Sequence, residues 1–236
     1  MEKRVLVVTC CYNEGSKIRN QLRRYPKERN YDLLIVDDGS ADGSLEEATQ
    51  HNAIVLRHET NQGVGSALKT AFQYAIDRNY RILVIMAGND KDDPLEIPRL
   101  LDPIENGFDF VQGSRFLEGG VYGNMPLYRV FATRLHAWIM TLAVRKWLTE
   151  STNGFRAFRV SILKDPRIQW QQVWLDKYEL EPYLLFKAIT LGYKHTEVPV
   201  TKIYPPKEQG YTKMKPFTGW WSILRPLFYL WFGFKK

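Results

Sequence analysis

The feature that most constrains this chain is an alternation of two periodicities through its first half. Short apolar, β-rich runs recur at 5–9, 33–36, 53–56, 82–86 and 108–111. Between them lie segments that read as helices, at 16–25, 44–50, 64–77 and 95–101. In the third of these, Leu68, Ala71, Phe72 and Ala75 recur at three- and four-residue spacing. Strands alternating with helices predict a parallel sheet with right-handed crossovers. The strands are almost continuously apolar, as a sheet covered on both faces requires. The expected fold class is α/β, a mostly parallel central sheet flanked by helices.

In such a sheet, ligands bind beyond the carboxyl ends of the strands. Polar residues collect at those places. The first strand runs into Thr9-Cys10-Cys11-Tyr12-Asn13-Glu14, the second into Asp37-Asp38-Gly39-Ser40 and the fourth into Ala87-Gly88-Asn89-Asp90. A carboxylate in the second of these accepts a hydrogen bond from a nucleobase or a ribose hydroxyl. Ordinary turn and helix-cap chemistry is the other reading of the same residues.

After residue 113 the pattern changes. A loop with Gly119-Gly120 leads to a helix at 129–147, with Leu135, Ile139 and Leu142 on one side. The stretch 152–156 reads as a loop, 179–191 as a helix and 196–200 as a strand. Residues 217–234 hold three tryptophans, four phenylalanines and a tyrosine, with Arg225 the one charge. A helix of that length spans about 27 Å, and a central Arg is costly in a bilayer. Six basic residues against Glu208 occupy 204–236. Aromatic bulk flanked by cations suits a helix lying in an anionic membrane interface. Packing on the core or on a second subunit is the alternative, so an oligomer stays open. The domain reading is one unit at 1–216, with halves at 1–112 and 113–216, followed by the segment 217–236.

The net charge of +7 favours anionic partners. A hydrophobic share of 44% excludes a disordered chain. The two cysteines, Cys10 and Cys11, are adjacent and give neither a disulfide framework nor zinc spacing, which suits a reducing compartment. No secretory signal is read at the N-terminus. The basic residues form no recognisable nucleic-acid motif, so no nucleic-acid partner is expected.

Six motifs in order resemble the family 2 glycosyltransferases with the Rossmann-like GT-A fold, closest to the branch of dolichyl- and polyprenyl-phosphate sugar transferases. They are Tyr12-Asn13-Glu14, Asp37–Ser40, the segment 61–67, Gly113-Ser114-Arg115, Asn153-Gly154-Phe155-Arg156 and Gly210-Tyr211-Thr212-Lys213. The resemblance implies an inverting transfer of a sugar from a UDP- or GDP-linked donor to a polyprenyl phosphate or a lipid-linked glycan. It implies nucleotide-sugar contacts at Thr9, Tyr12, Glu14, Asp38, Gly39, Gly65, Lys69, Ala87, Gly88 and Asn89. It places Arg115, Arg156 and Lys213 toward the diphosphate or an acceptor phosphate. If the acceptor is a hydroxyl, Asp176 is the first candidate for general base and Glu181 the second. A lipid phosphate needs no base. The implied location is peripheral, on the cytoplasmic face of a membrane.

The family pattern has Asp-x-Asp where this chain has Ala87-Gly88-Asn89. A cofactor, Mg²⁺ or Mn²⁺, is therefore expected on Asp90 with Asn89, since Mg²⁺ is normally held by one or two carboxylates plus substrate phosphates. A site using Lys and Arg without metal is the alternative. A nucleotide-binding but inactive partner protein is the rival reading of the altered motif.

Overall fold

The computed structural model describes residues 5–43, 45, 48–206 and 218–235. A seven-stranded sheet runs in the order β3-β2-β1-β4-β7-β5-β8. Its strands are β1 (Val5–Cys11), β2 (Asp32–Asp37), β3 (Ala53–Arg57), β4 (Ile82–Ala87), β5 (Phe110–Ser114), β7 (Arg156–Arg159) and β8 (His195–Pro199). Two short strands, β6 (Val121–Gly123) and β9 (Thr201–Ile203), pair beside it. All pairings of the main sheet are parallel except those of β7, which is antiparallel to both β4 and β5.

Helices α1 (Ser16–Arg24) and α3 (Ile97–Glu105) contribute to one core layer. Helices α2 (Val64–Asp77), α4 (Leu127–Val144), α5 (Leu180–Thr190) and α6 (Thr218–Trp231) contribute to the other. Helix α2 buries Leu68, Ala71, Phe72 and Ala75 as its spacing predicts. Phe72 meets Phe158 and Trp170 edge to face at 5.8 and 5.6 Å.

Two expectations are corrected. Strand β7 occupies the end of the stretch read as a loop and continues beyond it; four residues with an arginine at each end give no apolar run to see. The segment 44–50 forms no long helix among its described residues, only a 3-10 turn at Ala48–His51. Glu179 lies fully buried and pairs with Arg225 at 2.6 Å. Of the three residues on one side of α4, Leu135 and Leu142 are exposed and Ile139 packs partly against the core. The inward side carries Arg129, Thr133, His136, Ala137, Met140 and Val144. Thr133 and His136 fit there because each is hydrogen-bonded, Thr133 Oγ1 donating to the Arg129 carbonyl at 2.7 Å. His136 Nδ1 lies 2.7 Å from Ser151 Oγ, and its Nε2 lies 3.2 Å from the Ile223 carbonyl of α6.

Candidate active site

Register fixes the site. Cys11 pairs with Asp37, and Cys10 with Ala87, so β1, β2 and β4 end level. Their polar extensions therefore meet at one edge. Asn13 N donates to Ser40 Oγ at 2.8 Å, and Ala41 N to Asn13 Oδ1 at 2.8 Å. Gly39 has φ +81°, and a Cβ there would come within 2.8 Å of the Thr60 backbone. Only glycine turns the chain at this point.

Asp38 lies beneath this edge. Its Oδ1 accepts from Gln62 N at 2.9 Å and its Oδ2 from Gly63 N at 2.8 Å. His58 Nδ1 lies 2.8 Å from Oδ1. Asp38 thus pins the loop that leads into α2. Thr9 is buried, with its hydroxyl 3.0 Å from that of Tyr25. Tyr12 and Glu14 remain at the edge, partly accessible.

Gly65 and Lys69, expected at the nucleotide, contact the 172–177 loop. A Cβ on Gly65 would fall 2.0 Å from the Leu175 carbonyl oxygen. Ser66 N donates to the Asp176 carbonyl at 2.9 Å. Lys69 Nζ donates to the Gln172 carbonyl at 2.7 Å and to the Asp176 carboxylate. The amino-terminal turns of α2 are thereby sealed by the 172–177 loop, which also engages the first base candidate.

The second candidate, Glu181, keeps a partly exposed carboxylate. Arg156 is wholly buried behind it. The guanidinium donates to the carbonyls of Asn153 at 2.6 Å and Glu181 at 2.9 Å, and lies 3.6 Å from the Glu181 carboxylate. Arg156 thus reaches the site only through Glu181. Arg115 is similarly enclosed, donating from Nε to Glu150 at 2.6 Å. Burial opposes ionisation of Glu150, yet Arg115 and the Thr152 N–H and hydroxyl hold its carboxyl below the ordinary range. Lys213 lies outside the described residues.

Residue reading missed a cluster of cations on the same side. Lys91, Arg129 and Lys202 are each nearly buried. Tyr204 sits between the first two, 4.4 Å from Lys91 Nζ and 5.6 Å from the Arg129 guanidinium. Lys202 Nζ donates to Asp92 at 2.5 Å and to Asn153 Oδ1 at 2.8 Å. Arg129 Nε has no hydrogen-bond partner among the described residues. Burial first, then Lys202 and Arg129, push the Lys91 ammonium down to about 7. A bound anion reverses that shift. Glu14 faces the same cluster electrostatically. The signal in the sequence was Lys91 itself, a cation within an otherwise acidic turn.

The implied divalent cation does not fit these side chains. Ala87 and Gly88 offer no side-chain donor, and Asn89 offers one neutral amide oxygen. Arg24 Nη2 donates to Asp90 at 2.5 Å. Asp92 is held by Lys202, and Asp93 caps Leu95 N at 3.1 Å. Every carboxylate in the segment already has a partner. Among the described residues, no three His, Cys, Asp or Glu side chains gather where a metal could be held.

Such a sheet, with its polar edge and one antiparallel strand, is that of the GT-A fold. The model of glycosyl transferase family 2 matches residues 6–165, and the chain belongs to that family. A polyprenol monophosphomannose synthase from Mycolicibacterium smegmatis is 29% identical, over 90% of this chain and 81% of that protein. An undecaprenyl-phosphate mannosyltransferase from Micrococcus luteus is 31% identical, over 89% and 87%. Among solved structures, glucosyl-3-phosphoglycerate synthase from Mycobacterium tuberculosis, in complex with Mn²⁺, UDP and glucosyl-3-phosphoglycerate, gives a TM-score of 0.63. It is 20% identical, covering 88% of this chain and 74% of that one.

Proposed function

We propose that this glycosyltransferase moves a sugar from a nucleoside-diphosphate sugar to a polyprenyl phosphate at a membrane surface, with inversion. The carrying observation is helix α4. Arg129 points inward to the cation cluster. On the opposite side Leu127, Phe131, Leu135, Trp138 and Leu142 are exposed, Leu127 at 85% and Phe131 at 71%. Their spacing confines them to about 80° of arc. An exposed apolar band of this kind marks an interaction surface. A lipid lying along the band brings its phosphate toward Arg129, where a buried guanidinium lacks a carboxylate partner among the described residues. The names of the two relatives support the same acceptor class.

An anionic acceptor oxygen attacks the anomeric carbon directly, and the nucleoside diphosphate leaves from the opposite face. No proton has to be removed, so neither Asp176 nor Glu181 is required as a base. Glu181 then serves to shape the site, held by Arg156. Helix α6 extends the apolar surface with Trp221, Phe228 and Trp231 exposed. No helix among the described residues is long and apolar enough to cross a membrane. The reading places the protein peripherally, on the cytoplasmic face.

The test supplies vesicles containing undecaprenyl phosphate with radiolabelled UDP- or GDP-sugars and follows label into the organic phase. Label in a mild-acid-labile lipid supports the reading. Transfer confined to water-soluble acceptors, or none with any donor, refutes it.

A further inference from the structure

We propose that Lys91 takes the place of a divalent cation on the leaving diphosphate, so that this chain binds its donor nucleotide without metal. The inference rests on the glycosyltransferase reading above and concerns how that site handles charge. Three observations carry it.

The first is the donor set. The last residue of β4 and the two that follow it present a methyl group, a hydrogen and an amide, and the carboxylates beyond are held by Arg24, by Lys202 and by a helix cap. The second is the local field. Lys91 lies within electrostatic reach of Lys202 and Arg129, with Asp92 and Glu14 as the opposing charges. A divalent cation entering beside these three cations is repelled by them, whereas a diphosphate is attracted. The third is position. Lys91 stands two residues beyond Asn89, at the carboxyl edge of the sheet, and its Nζ is oriented over Tyr204. Its backbone carbonyl accepts from Ile203 N at 2.9 Å, which ties the turn to β9 and Lys202. The ammonium is thus set by two elements at the edge where the nucleotide binds. As the glycosidic bond breaks, its electron pair passes to the β-phosphate oxygen, and a fixed cation there stabilises the charge that develops.

The experiment uses the full chain, dialysed against chelator, and measures binding of UDP, GDP, UMP, GMP and inorganic pyrophosphate by calorimetry, with and without Mn²⁺. The expected result is diphosphate affinity unchanged within twofold by chelator. Lys91→Gln should weaken the diphosphates and pyrophosphate at least tenfold and the monophosphates less than threefold. Lys91→Arg should retain most of the affinity. Thermal unfolding of each variant separates lost binding from lost folding. Diphosphate binding that falls tenfold in chelator overturns the inference and leaves the glycosyltransferase reading intact. Metal-free binding indifferent to Lys91 also overturns it and assigns the cluster to the acceptor phosphate. No binding of any nucleotide under any condition overturns both.

Discussion

Arg115 and Glu150 show what a motif residue does when the fold encloses it. The pair is desolvated on both sides, and Glu150 also accepts from Ser151 N, Thr152 N and Thr152 Oγ1. Removing the cation leaves a buried carboxylate uncompensated. Arg115→Met should cost about 3–5 kcal/mol in urea unfolding. Two buried histidines set a pH response. Burial lowers His136 to about 4 and His195 to about 3, the latter with Lys146 and Arg156 adding to the effect. Their folded values lie below the unfolded value of about 6.5. The unfolded chain therefore binds protons that the folded chain refuses, and stability present above pH 6.5 is lost as pH falls toward 4. Each histidine contributes a slope of about 1.4 kcal/mol per pH unit in that window. His195 stacks near Phe110, with neither ring nitrogen bonded among the described residues. His195→Phe should halve the histidine part of the slope, measured as unfolding free energy from pH 7 to 5. At this scale the sequence named candidate residues but not which way they point. Arg115, Arg156 and Arg129 are the same residue type. Only the third is left without a carboxylate among the described residues.

Helix α4 marks where pattern reading meets its limit. The apolar stripe was legible, and so was the helix. The side it faces was not, because a stripe of that width ordinarily covers a core. The fold reverses it by giving the polar side partners of its own, in Ser151, Ile223 and Tyr204. Phe131→Glu and Trp138→Glu should each leave unfolding stability within about 0.5 kcal/mol, as exposed substitutions do. Together they should reduce flotation with anionic vesicles more than tenfold. Unchanged flotation would return the stripe to a protein partner. Strand β7 is the opposite case, an element hidden because its residues are short in number and charged at both ends. Its pairing depends on Phe158, stacked on Phe110 at 5.5 Å. The strands of the first half were legible to within a few residues because β1, β2, β4 and β5 are buried almost throughout and read as continuous runs, and even the partly buried β3 keeps an apolar run.

The whole molecule joins its tail to its core. Helix α6 buries Ile223 and Leu227 and ion-pairs Arg225 to Glu179, while several of its aromatic side chains stay exposed. The tail therefore packs and presents a surface at once, where the sequence offered these as alternatives. Deleting residues 218–236 strands the Glu179 carboxylate and opens the Ile223 carbonyl contact of His136. The expected loss is about 3–5 kcal/mol, a fall in melting temperature of about 6–20 °C at this chain length. Scanning calorimetry without lipid checks it, since a tail that served only as an anchor would leave the melt unchanged.

One further consequence follows from α4 having two working sides. Arg129 and Phe131 are two residues apart, so they share a rigid backbone and lie about 200° apart around it. The distance between the outer stripe and the inner cation is set by the thickness of a helix, about 10–12 Å. No loop can lengthen it. A surface touching the stripe thus holds the reaction centre at a fixed altitude, and the helix works as a ruler. On the proposed function, acceptors are sorted by how far their phosphate can rise from the plane in which their chain lies.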